Sequence, residues 1–273
     1  MVGKRMFFTY VALFVCLLMA MFPIYWMLNT SLKAAREINQ RFPTYWPEKV
    51  TTESYVELVD MGFMNNVKNS LIVSLLVSIG SILASMFAAY AIARLNFKRK
   101  KLISRFIFYA YLMPRTVMYI PLYIVTTNVG LRDSLWGLIL VYPTFTLPYA
   151  TWMLISYFKK IPKELEEAAI VDGETKFGSM VKIVFPLAAP GIVATMIFAF
   201  TLCWSEYLYA LVIITSTPQK TISLGLYDLI VDDLYAWGPL MGGSIIAAVP
   251  VIFLYFFASN YLVKGLAEGG VKG

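Results

Sequence analysis

The chain has 273 residues, 59% of them apolar and 14% charged, with a mean hydropathy of +0.70. A soluble domain runs at about 45–50% apolar and about 25% charged. Too few polar side chains remain here to cover a water-exposed surface, and a lipid bilayer is the solvent that suits the composition. There is no histidine, which excludes imidazole bases and ligands. Cys16 and Cys203 are too few and too far apart for a disulfide framework or a thiolate zinc site. The net charge of +7 could suggest nucleic acid, but in a membrane chain basic residues gather in cytoplasmic loops.

Crossing a hydrocarbon core of about 30 Å takes about 20 mostly apolar residues. Six stretches qualify: Met6–Leu28, Ser70–Ala93, Phe106–Val125, Leu135–Phe158, Ile192–Ile214 and Met241–Val263. The first follows Lys4 and Arg5 but is too long for a signal peptide and reads as a retained anchor. The expected fold is all-α: a polytopic membrane protein of six transmembrane helices, one domain over residues 1–273. With both termini in the cytoplasm, fifteen of the 23 basic residues fall in cytoplasmic segments and seven outside, Arg115 lying within the third span. The loop Arg94–Arg105 carries most of that bias. Outside, Asn29–Asn69, with Pro43, Trp46 and Pro47, is expected to fold as a small cap. The loop Thr215–Leu240 carries Pro218, Asp228, Asp232 and Asp233 around an apolar Ile222–Ile230 stretch. There is no internal repeat.

Residues 159–190 form the longest cytoplasmic loop. Pro162 suits the first turn of a helix, and Glu164, Glu166 and Glu167 suit early turns where the macrodipole favours anions. Asp172-Gly173 is a stop and turn, with Gly173 free to take a positive φ. Phe177, Met180, Val181 and Val184 then form one apolar stripe at helical spacing, and Pro186 and Pro190 are expected to end that second helix. An amphipathic element resting on its own bundle is one reading. A helix made only for anionic lipid would however be basic, so the glutamates point to a protein partner.

The run Glu167-Ala168-Ala169, Asp172-Gly173, Phe177, Ile183 and Pro186 resembles the EAA loop of ABC (ATP-binding cassette) importer permeases. Ile161-Pro162-x-Glu164-Leu165 and Pro190-Gly191 resemble the carbohydrate-uptake, maltose permease-like branch. So do Pro121-Leu122-Tyr123 before Gly130-Leu131, Trp204, and the tail Val263-Lys264-Gly265-Leu266 … Val271-Lys272-Gly273; these look like the branch's shorter permease subunit. Glu174 departs from the alanine common there. The resemblance implies a permease in the cell (inner) membrane. Its coupling helix, through Glu167, Ala168, Ala169, Asp172, Gly173, Phe177 and Pro186, would dock on a cytoplasmic ATPase dimer. It further implies a second homologous permease, an extracytoplasmic solute-binding protein and a sugar substrate, and no nucleic acid. The chain has no GxxxxGK[ST] loop, so ATP and Mg belong to the ATPase, and no cofactor is expected in this chain.

Arg115 and Glu206 are ionisable groups inside spans, which cost a few kcal/mol unless paired or facing a water-filled cavity. With Trp204, Tyr207 and Tyr142 they are candidates for lining a substrate path, since aromatic faces with a few polar groups suit sugar rings. The alternative is that Arg115 and Glu206 are structural pairs, or that Arg115 snorkels. A secondary transporter would be expected to show broken helices in two related halves and several buried carboxylates. A membrane enzyme would need a convergent acid–base or metal constellation, which this chain lacks the residues to build.

Overall fold

The computed structural model describes residues 2–230 and 236–270, with side chains over 6–230 and 236–259. The side chains of Lys4 and Arg5, Asp232 and Asp233, and the tail residues Val263, Lys264, Gly265, Leu266, Val271, Lys272 and Gly273 lie outside the described ones. All regular structure among the described residues is helical. The chain divides into two units, 1–65 with 225–250, and 66–224 with 251–273.

In the first unit, α1 (Val2–Ser31) is followed by α2 (Ala35–Ile38) and α3 (Glu53–Asp60). Every residue from Met6 to Tyr25 is exposed within the chain, so α1 offers its apolar surface all round. The segment after it is held by polar contacts. Buried Glu37 accepts the Glu48 N–H at 3.1 and 3.2 Å and the Thr44 hydroxyl. The Ser31 hydroxyl meets that of Tyr55 at 2.9 Å. Helix α15 (Trp237–Gly270) comes close to α3 because its first turns carry glycine: a Cβ on Gly238 would lie 2.3 Å from the Ser54 hydroxyl oxygen. The expected cap is thus a folded segment.

The second unit holds most of the helices. In α4 (Phe63–Arg94), Ser70, Ser74, Ser78, Ser81 and Ser85 form a buried small, polar stripe. Such stripes let membrane helices approach and hydrogen-bond. Ser81 bonds Thr146 at 2.6 Å and Thr151 donates to Ser85 at 3.0 Å, fastening α4 to α8 (Pro143–Lys160), which follows α7 (Leu135–Val141) across Tyr142. Gly80 is exposed, with nothing near an added Cβ; the serines, and not the glycine, make this contact. Helix α12 (Ala189–Trp204) also packs on α8. A Cβ on Gly191 would lie 2.4 Å from Cγ and Cδ1 of Tyr157. Gly→Ala in an exposed helix gains about 1 kcal/mol, but Gly191→Ala is expected to lose about 1–3 kcal/mol by overpacking. Thermal unfolding in detergent reads the sign.

The expected third and fifth spans are not continuous. Pro114 removes a backbone donor and holds Met113 extended, splitting the third span into α5 (Lys100–Leu112) and α6 (Arg115–Asn128). The fifth breaks at Ser205–Tyr207, between α12 and α13 (Leu208–Ile213). Among the described residues four helices are long and apolar enough to cross a membrane: Met6–Ser31, Phe63–Arg94, Leu135–Lys160 and Trp237–Ser259. Lys176–Leu187 and Ala189–Trp204 are together long and apolar enough for a fifth, but they are bent by 73° at the break between them.

Between α6 and α7, Asp133 takes a positive φ of 55°. Its Oδ1 accepts the N–H groups of Thr215 and Ser216, each at 2.8 Å, and the Ser216 hydroxyl at 3.0 Å. These donors favour the ionised form and hold the carboxyl below its ordinary pKa. The clamp is therefore at full strength above the ordinary carboxylate pKa of about 4 and is lost as pH falls through the depressed value. Asp133→Ala is expected to speed hydrogen exchange at the Thr215 and Ser216 amides at neutral pH, a difference that vanishes in acid.

Candidate coupling surface and transport cleft

After α8 the chain turns into α9 (Glu164–Val171), whose N-cap is Lys163. Pro162 lies one residue before that cap, outside the first turn where the sequence reading put it. The far end of α9 is a Schellman motif: Gly173 N–H donates to Ile170 O at 3.1 Å and Glu174 N–H to Ala169 O at 2.9 Å. Gly173 takes φ +93°, with nothing within 4 Å of an added Cβ.

The second helix ends at Leu187, between Pro186 and Pro190 as expected, but it is not one regular helix. It runs as α10 (Lys176–Ser179), a π-helical turn Met180–Val184 and α11 (Phe185–Leu187), and the chain then bends by 73° into α12. Prolines at the start of a helical piece have no donor to lose, so here they begin segments. The wider π turn shifts the helical register, and the expected apolar stripe splits. Met180 and Val184 are buried, whereas Phe177 and Val181 are exposed.

The acidic cluster divides as well. Glu164 and Glu167 are exposed, but Glu166 is buried. Its Oε1 lies 2.7 Å from Nε of Arg94, and Tyr90 donates to its Oε2 at 2.9 Å. Glu174, at the departing position, pairs with Lys182 on the exposed surface. Of the sequence-selected residues, Glu167, Ala168, Asp172, Gly173, Phe177 and Pro186 are exposed and Ala169 is turned inward. Val171, 86% exposed, and Phe177, 65% exposed, give this surface two apolar projections beside its carboxylates. The sequence reading missed the Glu166 contact; the available signal was that Glu166 and Ala169, i and i+3, share a face.

At the α5–α6 break lies a cleft of about 250 Å³, lined by Tyr111, Arg115, Phe145, Tyr149, Phe198 and Tyr209 among others. The Arg115 guanidinium sits 4.7 Å from the Phe145 ring centroid, a cation–π placement. Tyr149 stacks on Phe198 at 4.7 Å. Among the described residues Arg115 makes no ion pair.

Trp204, Glu206, Tyr207 and Tyr142 are not among the residues lining this cleft. Tyr142 is fully buried and donates to Glu206 Oε2 at 3.0 Å. The same carboxylate accepts Tyr209 N–H at 3.0 Å and Ala210 N–H at 3.1 Å, so it caps α13 where the fifth span breaks. Trp204 stacks on Phe200 at 5.6 Å, and Tyr207 packs against the core around Val141 and Ile213. Tyr111, Phe145, Tyr149, Phe198 and Tyr209 went unnoticed in the sequence because aromatics are spread through every span.

Residues 80–267 match the family described as the binding-protein-dependent transport system inner membrane component. The chain belongs to this family. The permease is 35% identical over 267 residues to the inner membrane ABC transporter permease protein YcjP of Escherichia coli (strain K12), covering 97% of this chain and 95% of that one. It is 34% identical to the sulfoquinovosyl glycerol transport system permease protein SmoH of Agrobacterium fabrum (strain C58 / ATCC 33970), covering 97% and 93%. Its fold matches a crystal structure of a bacterial ABC transporter involved in the import of the acidic polysaccharide alginate. The TM-score is 0.78 at 20% identity, over 95% of this chain and 97% of that one. The permease is thus a transport subunit rather than an enzyme, and an all-helical membrane protein of the ABC importer permease fold.

Proposed function

We propose that residues 1–273 act as one permease domain that takes up a sugar or oligosaccharide delivered by an extracytoplasmic solute-binding protein. Residues 159–190 are its coupling loop. The observation that carries this reading is the exposed surface at the end of α9, where Glu167, Ala168, Val171, Asp172 and Phe177 surround the Gly173 turn. Carboxylates beside apolar projections suit a groove in a basic, separate ATPase subunit, which supplies ATP and Mg. A dimer of that ATPase engages this permease and a second, homologous one. The exposed α1 surface is left for lipid and the second permease. Both termini lie in the cytoplasm, as the basic residues favour.

In this reading, ATP-driven closure of the ATPase dimer draws the coupling loops together and opens the path outward, and hydrolysis resets it. Arg115 and the aromatic rings of the cleft line the path, offering flat faces to a sugar ring and a cation to its polar rim. Trp204, Glu206, Tyr207 and Tyr142 hold the broken fifth span beneath it. Deleting the gene for this chain is expected to abolish uptake of the radiolabelled saccharide retained by the genetically linked binding protein, with uptake restored by the intact gene. Persistence of binding-protein-dependent uptake in the deletion strain overturns the reading. Arg115→Met is expected to lower uptake about tenfold, the loss of a polar ligand contact worth about 1.4 kcal/mol, with ATP hydrolysis in the absence of substrate unchanged.

A further inference from the structure

The end of α4 carries Tyr90 and Arg94, four residues apart and so on one helix face. Glu166 of α9 reaches both, with one carboxylate oxygen 2.7 Å from the guanidinium and the other accepting the phenol at 2.9 Å. Arg94 Nη2 also donates to the carbonyl of Ile161 at 2.6 Å, the residue that closes α8. Three elements, α4, α8 and α9, therefore meet on one guanidinium. The Arg94 and Glu166 side chains are 5% and 11% exposed.

A buried ion pair is a poor source of stability, since well-packed apolar side chains of similar volume hold a site as well or better. What the ionic contact adds is a single geometry. A carboxylate that accepts a directional hydrogen bond from a phenol on one oxygen and forms a close ion pair with a guanidinium at the other holds α9 in position and in rotation. The apolar cluster of Met180, Val184 and Phe158 beside Tyr90 joins the π turn to α4 and α8 without a residue of α9, so Glu166 is what ties α9 itself to α4.

We infer that Glu166, Arg94 and Tyr90 form the linkage through which movement of α9 is passed to α4 and α8 together. Glu166 and Arg94 are positioning residues for coupling and take no part in docking. This rests on the reading of α9 as the ATPase-facing helix. Glu167, the next residue, faces outward toward the partner; Glu166 faces inward toward the spans. Adjacent residues on a helix lie about 100° apart, which lets two successive glutamates serve the two sides of one lever.

The test uses the complete complex in proteoliposomes, with both permeases, the ATPase dimer and the binding protein with its saccharide. The variants are Glu166→Ala, Arg94→Ala, and the apolar pair Arg94→Met with Glu166→Leu. A merely structural contact is restored by the apolar pair; a positioning contact is not. The expected result is an apolar-pair complex that retains its ATPase and its melting temperature. Basal hydrolysis stays within about twofold, while binding-protein-stimulated hydrolysis and uptake fall about tenfold, within the usual range of coupling between sites. Wild-type stimulation and uptake in the apolar pair overturn the inference, as does loss of assembly in that pair. Gly173→Trp runs in parallel. If it too transports normally, the ATPase-facing reading of α9 has failed; if it alone is inactive, only the linkage has failed.

Discussion

Gly173→Trp is expected to abolish uptake while the protein still reaches the membrane. Two effects combine at this position. With φ at +93°, any side chain strains the Schellman turn by about 1–2 kcal/mol. Apart from its chain neighbours, no described atom stands within 4 Å of an added Cβ, so an indole would project outward beside Val171 and Phe177, into the space the proposed ATPase partner would fill. Gly173→Ala carries the strain without the bulk and is expected to keep partial uptake. Co-purification of the ATPase with each variant separates the effects: lost with tryptophan, largely kept with alanine. Full uptake by the tryptophan variant would remove this turn from the coupling surface.

Glu206→Ala is expected to be the most destabilising substitution at the broken fifth span. It leaves the Tyr142 hydroxyl and the amide N–H groups of Tyr209 and Ala210 without their acceptor in a buried position. Each unmade buried hydrogen bond costs about 1–3 kcal/mol, so a loss of about 3–5 kcal/mol is expected once the site relaxes. In detergent the protein should melt well below wild type, or fail to accumulate. Glu206→Gln keeps one carbonyl acceptor and should recover part of the loss. A stable Glu206→Ala protein that has lost uptake alone would instead place the carboxylate in the substrate path.

Much of the architecture was legible in the sequence because hydropathy counts residues in a window. Met6–Leu28, Ser70–Ala93 and Met241–Val263 fall within long helices, and Leu135–Phe158 within the consecutive α7 and α8. The same averaging hides a break of two or three residues. Pro114 announced one break by its missing donor; Ser205–Tyr207 contains no proline, and only the capping carboxylate of Glu206 reveals it. The turn at Gly173 was readable because one residue type suits a positive φ. The division between Glu166 and Glu167 was not, since composition scores both as acid, and only the approach of α4, far away in sequence, decides which is buried.

The 73° bend between the α10–α11 run and α12 has a mechanical consequence. The two arms, Lys176–Leu187 and Ala189–Trp204, span about 18 and 24 Å at 1.5 Å per residue. They meet at buried Ala188, and Gly191 bears on Tyr157 just past the corner. Such an elbow is a bell crank. Were the two arms to turn as one rigid piece about Ala188, a sideways push on the short arm would emerge as a swing of the long one, enlarged by about a third, at the place where the fifth span breaks. Jamming that pivot, by adding bulk at position 191, should reduce the throw of the crank without touching either end of it.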